Sequence, residues 1–406
     1  MLAAQHAGSK AVVAGNIRFL RGAGIRRAET VFQWELDRSE EACRMNPNDP
    51  VRVVEAEAFW QPGTKLTQDG DFRAAYRDLG TVPAQRVRLP VPGSTWKLTG
   101  RVGRTDDGTI YAGFGPYLHW SKDEGKTWDG KALEGLPGSA GERVIAQAFG
   151  AAGRYIYLAH FNKELPCLGE DCYPIVISRS KDGGKTWESN LPLDQGPYKY
   201  MGGDGDHIIA LEDGTLLATL DAWNPATATS PQVGGMVLSR STDQGRTWGD
   251  STIVPGVAET GLLCLGGQRL LAAMRTGGPG PDGKTVRLAN SDDGGRTWRN
   301  FRPLTHVYGQ AHGDLAALPG GGVVAVYENR YPFSGTMHAR VSWDGGESWE
   351  PELYIVMDSG VGYPGSVAVE DGTVVTVAGD GELTGNGEPT GRGYTLQAMR
   401  WKPWPK

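Results

Sequence analysis

Short apolar runs, each broken by a glycine-centred turn and followed by a second apolar run, recur along most of this chain. They read RVGRTDDGTIYAGF around Gly108, HIIALEDGTLLATL around Gly214, TGLLCLGGQRLLAAMR around Gly267, GDLAALPGGGVVAVY around Gly321 and GSVAVEDGTVVTVAG around Gly372. A weaker copy, RVIAQAFGAAGRYIYLA, lies between the first two. Asp-Gly and Gly-Gly between β-rich runs are strong hairpin signals, so the pattern predicts six hairpins.

Between the hairpins one octad returns five times: Ser121-KDEGKT-Trp128, Ser180-KDGGKT-Trp187, Ser241-TDQGRT-Trp248, Ser291-DDGGRT-Trp298 and Ser342-WDGGES-Trp349. Successive starts are 59, 61, 50 and 51 residues apart, room for four short strands and their turns. Each residue type has a mechanical reason: the Asp carboxylate and the hydroxyls can bond the turn's own N–H groups, and Gly supplies the reversal. The Trp offers an apolar face that anchors the turn to neighbouring strands. These Asp residues are therefore read as structural rather than as catalytic acids.

Six hairpins and five octads predict an all-β fold, a six-bladed β-propeller. The last blade, from Tyr363 onward, has a hairpin and a final strand (Tyr394 to Trp401) but lacks one strand. Ring closure leaves no open edge if the other terminus supplies it, and Val51 to Trp60 or Arg86 to Val91 would serve. Residues 1–48 are read as an N-terminal extension, with Glu29 to Met45 a short helix or irregular cap, and 49–406 as the propeller.

Composition agrees: 60 Gly, 25 Pro and 13 Trp suit many short strands and tight turns. A formal charge of -6 without basic runs argues against nucleic acid as a partner, and no apolar stretch is long enough for a membrane span. No cofactor is implied, and the chain is expected to be a monomer. Of four cysteines, Cys167 and Cys172 flank a short loop. A local disulfide there would go with a secreted or periplasmic location, and two thiols fit the sequence as well.

In a propeller the inner strands of all blades meet at one mouth. Residues at inner-strand starts are Arg101, His207 with Asp204 and Asp206, Glu259, His312 and Tyr363; from second-strand ends come Asp221, Arg275, Arg330 and Asp380. Guanidinium groups hold carboxylates bidentately, so a cluster of Arg101, Arg275 and Arg330 predicts an anionic ligand. A Tyr beside a Glu can become a phenolate nucleophile, a sensible choice when the substrate is itself negative; Glu259 and Tyr363 fit that pair.

The octads and this ordering resemble the sialidase (neuraminidase) superfamily, whose repeats are known as Asp boxes. Glu259 and Arg275 in AETGLLCLGGQRLLAAMR resemble the family's Glu and second Arg, Arg330 in YENRYPF its third Arg, and Tyr363 in GYPGSV its nucleophile. The resemblance implies a retaining, exo-acting glycoside hydrolase on a carbohydrate substrate. No RIP-type motif precedes the first box, so Arg101 is the nearest first Arg, with Arg104 behind it. Ala146 stands where the family's acid Asp is expected, with Asp171 or Glu142 as substitutes. His207 and His312 are expected at equivalent positions in their blades. With Tyr363 they would suit β-elimination on uronic-acid glycans, so a polysaccharide lyase, another glycosidase or a non-catalytic glycan-binding propeller are the alternatives. The run GGDGDH (Gly202 to His207) is read as a Gly-rich turn rather than a metal site.

Overall fold

The computed structural model describes residues 65–67, 73–78, 86–89 and 100–403, apart from positions 140, 142–143, 169–172, 190–191, 204, 226–232, 277–284, 306–309, 330–335, 351, 358–361 and 381–394. The expected cap at Glu29 to Met45, the strand at Val51 to Trp60 and Cys172 lie outside the described residues.

The described chain is an all-β, six-bladed propeller, and each blade is an antiparallel sheet running from the axis outward. Blade 1 comprises Gly100–Arg104, Ile110–Phe114, Tyr117–Ser121 and Asp129–Ala132. Blade 2 comprises Ala148–Ala152, Tyr155–Phe161, Ile175–Ser180 and Glu188–Ser189. In blade 3 the strands are Asp206–Ala210, Leu216–Asn224, Val233–Ser241 and Gly249–Pro255, with Tyr200–Gly202 extending the inner edge. Blade 4 runs through Val257–Cys264, Leu270–Thr276, Val286–Ser291 and Arg299–Pro303, and blade 5 through Gln310–Ala317, Val323–Asn329, Thr336–Ser342 and Glu352–Met357. Blade 6 has Gly365–Ala368, Val374–Asp380 and Thr395–Trp401 from the C-terminal part, and its outer strand is Arg86–Leu89, antiparallel to Thr395–Trp401. Of the two expected closing segments, the structure uses the second. Inner strands adjoin one another in sequence, and the sixth adjoins the first, so the ring is closed. A hairpin the sequence reading did not foresee, Lys65–Thr67 with Arg73–Asp78, adds its second strand in parallel to the outer strand of blade 5.

Closure is held by an apolar cluster in each of the six gaps between blades. Between blades 2 and 3, for example, Ile175, Ile177, Leu216, Leu220 and Val237 are buried together, and Trp248 packs against them. Trp128, Trp187, Trp298 and Trp349 do the same in their own gaps. The box tryptophans thus join each blade to the one before it. The turns are self-locking: Ser121 Oγ accepts from Gly125 N at 2.8 Å, and Asp123 accepts from Thr127 N at 2.8 Å and from Thr127 Oγ1 at 2.6 Å. The same bonds recur in the other four boxes. No helix among the described residues is long and apolar enough to cross a membrane.

Candidate functional site

The ladder gives every blade a common frame. The box serines lie opposite Ile110, Ile156, Leu216, Leu270 and Val323 on the second strands, and Trp401 lies opposite Val374 in blade 6. Three residues further along, Gly113, Ala159, Ala273, Val326 and Val377 pair with inner-strand Arg101, Ala148, Gly261, Asp314 and Gly365. In blade 3 this level is held by His207, whose N–H donates to Thr219 Oγ1 at 3.0 Å instead of joining the ladder. Two residues before that level, nearer the mouth, stand Ala146, Gly205, Glu259, His312 and Tyr363.

The register breaks between Ala258 and Gly261 and between Ala311 and Asp314, so each inner strand carries a bulge at this place. Glu259 and His312 consequently sit in the left-handed region, at φ 42° and 55°, and Gly205 at φ 89°. A left-handed conformation is uncommon in residues other than Gly and recurs at functional sites. Here it turns Glu259 and His312 towards the axis.

The upper layer converges. Tyr363 Oη donates to Glu259 Oε1 at 2.7 Å, and Arg275 Nη1 donates to Glu259 Oε2. His312 Nε2 lies 3.1 Å from the same Oε2, within ion-pair distance but off the line of a hydrogen bond. Its ring rests on that of Tyr363, with centroids 4.1 Å apart. On the other side, His312 Nδ1 meets Glu328 Oε2 at 2.6 Å, and Glu328 Oε1 accepts from Gly362 N at 3.0 Å. Gly205 is needed where it is: a Cβ there would fall 2.9 Å from Tyr363 Cβ. Asp221 holds the backbone, accepting from Glu259 N at 2.8 Å.

Glu259, His312, Glu328 and Tyr363 are buried, while Arg275 keeps 20% of its side chain exposed at the mouth. Burial works against a charge on Glu259, but His312 and then Arg275 outweigh it and hold its carboxyl well below the usual range. It is therefore an ionised carboxylate facing a phenol.

The lower layer is different. Arg101 is fully buried, and its guanidinium donates to Pro364 O and, at 3.3 Å, to Gly313 O. It stitches together the peptides that follow Tyr363 and His312 rather than facing the mouth, a departure from the expectation. His207 departs too. It lies at the level of Arg101 and Asp314, two residues deeper than His312, because the bulge separates positions that look alike in sequence. His207 Nδ1 lies 3.1 Å from both Leu262 N and Leu262 O, and its Nε2 faces Asp314 Oδ1 at 2.8 Å. Asp314 Oδ2 accepts from Ser366 N at 2.5 Å. Asp206, at the start of the inner strand of blade 3, ties it to blade 4, its Oδ1 accepting from Thr260 N at 3.1 Å.

Arg330, Asp171, Glu142 and Asp204 lie outside the described residues, as does the side chain of Asp380. Ala146, at the level of Glu259 and Tyr363 in blade 2, is buried, and its neighbours give that side an apolar cleft of about 110 Å³ lined by Val144, Ile145, Gln147 and Phe161 with Ser139 and Lys163. A larger cleft of about 520 Å³ lies at the box end of blades 3 and 4, the opposite end of the strands. There Arg240 is already bonded to Gly294 O, and Arg296 to Asp250. Glu328 was missed from sequence. The signal was its place five residues past Val323, matching Arg275 five past Leu270 and Asp221 five past Leu216.

A closed ring of blades joined by Asp boxes, with a polar cluster at the axial mouth, defines the Asp-box propellers as a class. The family model for the BNR repeat-like domain matches residues 167–376, and the chain belongs to that family. Among solved structures it is similar to the Hadza microbial sialidase Hz136, at 16% identity and a TM-score of 0.51 over 75% of this chain and 65% of that one. It is also similar to Trypanosoma rangeli sialidase in complex with the inhibitor DANA, at 15% identity and 0.52 over 76% of this chain and 55% of that one. A mutant NanB sialidase from Streptococcus pneumoniae matches at 11% identity and 0.50, over 79% and 70%. This chain thus spans 55 to 65% of the length of the first two. Identity this low shows a shared fold. No curated protein matches the sequence.

Proposed function

We propose that the protein is a retaining glycoside hydrolase acting on an anionic sugar, with Tyr363 as nucleophile and Glu259 as its base. The observation that carries this reading is the buried 2.7 Å bond from the Tyr363 hydroxyl to Glu259, whose other oxygen is held by Arg275. In the first step Glu259 takes the phenol proton while Tyr363 Oη bonds to the anomeric carbon and the bond to the leaving oxygen breaks. Water then attacks the same carbon as the bond to Tyr363 Oη breaks with its electron pair; Glu259 returns its proton to that oxygen, and the proton lost by the water passes to solvent, balancing the aglycone that left as an anion. A neutral phenol turned phenolate approaches a carboxylated sugar with less repulsion than a carboxylate nucleophile would. Arg275, the guanidinium that reaches the mouth, is assigned to the sugar carboxylate. The sialidases that share this fold support the choice of a sialoside as first substrate.

An aryl sialoside is the right test because a phenolate leaves without an acid, so turnover reports on Tyr363 and Glu259 alone. Tyr363→Phe and Glu259→Ala are expected to abolish hydrolysis, and Arg275→Ala to raise KM. An inactive unmutated protein removes the sialidase reading.

A second reading, a lyase on uronic-acid glycans, draws on two observations: the imidazole of His312 in ring contact with Tyr363, and the withdrawal of Arg101 into the lower layer. Ultraviolet absorbance from an unsaturated uronate would identify it, and a flat trace would exclude the glycans tried.

A further inference from the structure

We propose that Glu328 and His312 are positioning residues that close a loop of contacts around the Tyr363–Glu259 pair, fixing the nucleophile from its backbone and its hydroxyl at once. The inference rests on the reading of those two residues as the reacting pair. Neither Glu328 nor its link to Gly362 follows from the resemblance to sialidases.

The loop can be followed atom by atom. Gly362 N, one residue before the tyrosine, donates to Glu328 Oε1 at 3.0 Å, and Glu328 Oε2 meets His312 Nδ1 at 2.6 Å. His312 Nε2 approaches Glu259 Oε2 at 3.1 Å, and Glu259 Oε1 receives the Tyr363 hydroxyl at 2.7 Å. The path runs through blades 4, 5 and 6 and returns to its starting peptide. Glu328 and His312 have 0% and 1% exposure, so water cannot substitute for any link.

Charge decides why both members are needed. A buried carboxylate without a partner is expensive, and here two of them, Glu259 and Glu328, flank one ring. One imidazole lies between them, with Nδ1 2.6 Å from Glu328 Oε2 and Nε2 3.1 Å from Glu259 Oε2. Among the described residues, the titratable groups facing His312 are Glu259 from blade 4, Glu328 from its own blade and Tyr363 from blade 6, with Arg275 on the shared Glu259 oxygen. Removing the Glu328 charge weakens the contact that holds Nδ1 and frees the ring to turn away from Glu259. The tyrosine then loses its stacking partner and its base loses one of its two cationic contacts.

The test uses the full chain and two readouts. With an aryl sialoside, Glu328→Gln, which keeps an acceptor for Gly362 but not the charge, is expected to lower kcat about 10- to 100-fold, the scale of a small misplacement of reacting groups, with KM within about threefold. Glu328→Asp should recover part of that loss. Independently of turnover, ¹⁵N spectra of labelled histidine, with the His312 signals identified by their loss in His312→Asn, should show the Nδ1 signal clearly displaced in Glu328→Gln, because the 2.6 Å contact to a carboxylate is gone. Identical ring signals in both proteins, or a rise in KM at unchanged kcat, would overturn the proposal. Should the unmutated protein not turn over the sialoside, the hydrolase reading fails, and the ring signals still decide whether the clamp exists. If Glu328→Gln does not fold, Glu328→Asp carries the same comparison: the shorter carboxylate should move the ring signals and lower kcat part of the way, and unchanged signals and kcat would overturn the proposal.

Discussion

The two ends of the blades solve opposite problems. At the box end, five turns repeat one set of bonds between residues no more than four positions apart, with the Asp carboxylates near the surface. At the mouth, the same ladder level carries Ala146, Gly205, Glu259, His312 and Tyr363, no two alike, and the bond that matters most spans 104 residues. Local, repeated chemistry holds the ring together; non-local, unrepeated chemistry uses it. Ring closure is what connects them, since only a closed ring brings Glu259 to Tyr363.

The sharpest way to break this contrast is to exchange one group at each end. Glu259→Gln at the mouth should lower kcat/KM on an aryl sialoside by about a thousandfold, within the range of a lost general base, while the fold persists. Asp243→Asn in the third box should leave kcat/KM within about twofold. A large loss of activity from the box variant would mean that the two ends are not separable.

Next comes Gly205→Ala, which tests whether the mouth depends on shape as well as charge. The added methyl would sit at φ 89° and 2.9 Å from Tyr363 Cβ, so it must displace the tyrosine. Activity should fall about a hundredfold, and stability by about 1–2 kcal/mol, the cost of placing a Cβ in that conformation. Unchanged kinetics would show that Tyr363 has room to spare.

The smaller effects are thermodynamic. Asp243→Ala removes the acceptor of Ser241 Oγ, Thr247 N and Thr247 Oγ1 and should cost about 1 kcal/mol in urea unfolding, because water partly replaces those exposed bonds. Acid should act in two stages. Burial pushes His160 down to about 4, so it is neutral when folded but protonates near 6.5 when unfolded. The unfolded chain binds the extra proton between those values, and stability falls as pH drops from about 6.5 to 4. For Asp243 and Asp293, slight burial raises the pKa but bonds to Thr, Ser and backbone N–H groups outweigh it, leaving values of about 2. Their contribution is present above 3.8 and is lost as pH falls from there towards 2. Unfolding midpoints measured at pH 7, 5 and 3 check the order, and a midpoint that rises on acidification would contradict it.

The box end was almost wholly legible in the sequence because each box contains its own partners. The six-fold count followed, and so did the need for a borrowed closing strand; between Val51 to Trp60 and Arg86 to Val91 the sequence left the choice open, and the structure uses Arg86–Leu89. The mouth was legible where a resemblance supplied Glu259, Arg275 and Tyr363. It was misread where depth mattered. Arg101 and His207 look like mouth residues when strands are counted from their polar starts, yet they lie two residues deeper than Glu259 and His312, which bulges in blades 4 and 5 set at the mouth and a period-two pattern does not display. Glu328 was hidden for a different reason. In VVAVYEN it reads as the end of a buried strand, and only the fold shows that it sits level with Arg275 one blade away.

The central claim is that Tyr363 forms a bond to the sugar. Incubating the intact protein with a fluorinated sialosyl fluoride, which slows breakdown of a glycosyl intermediate, and mapping the peptides by mass spectrometry tests it directly. One sialosyl adduct on the Tyr363 hydroxyl, absent from Tyr363→Phe, is the predicted result. A label on Glu259, or no label while the substrate is consumed, would contradict the account.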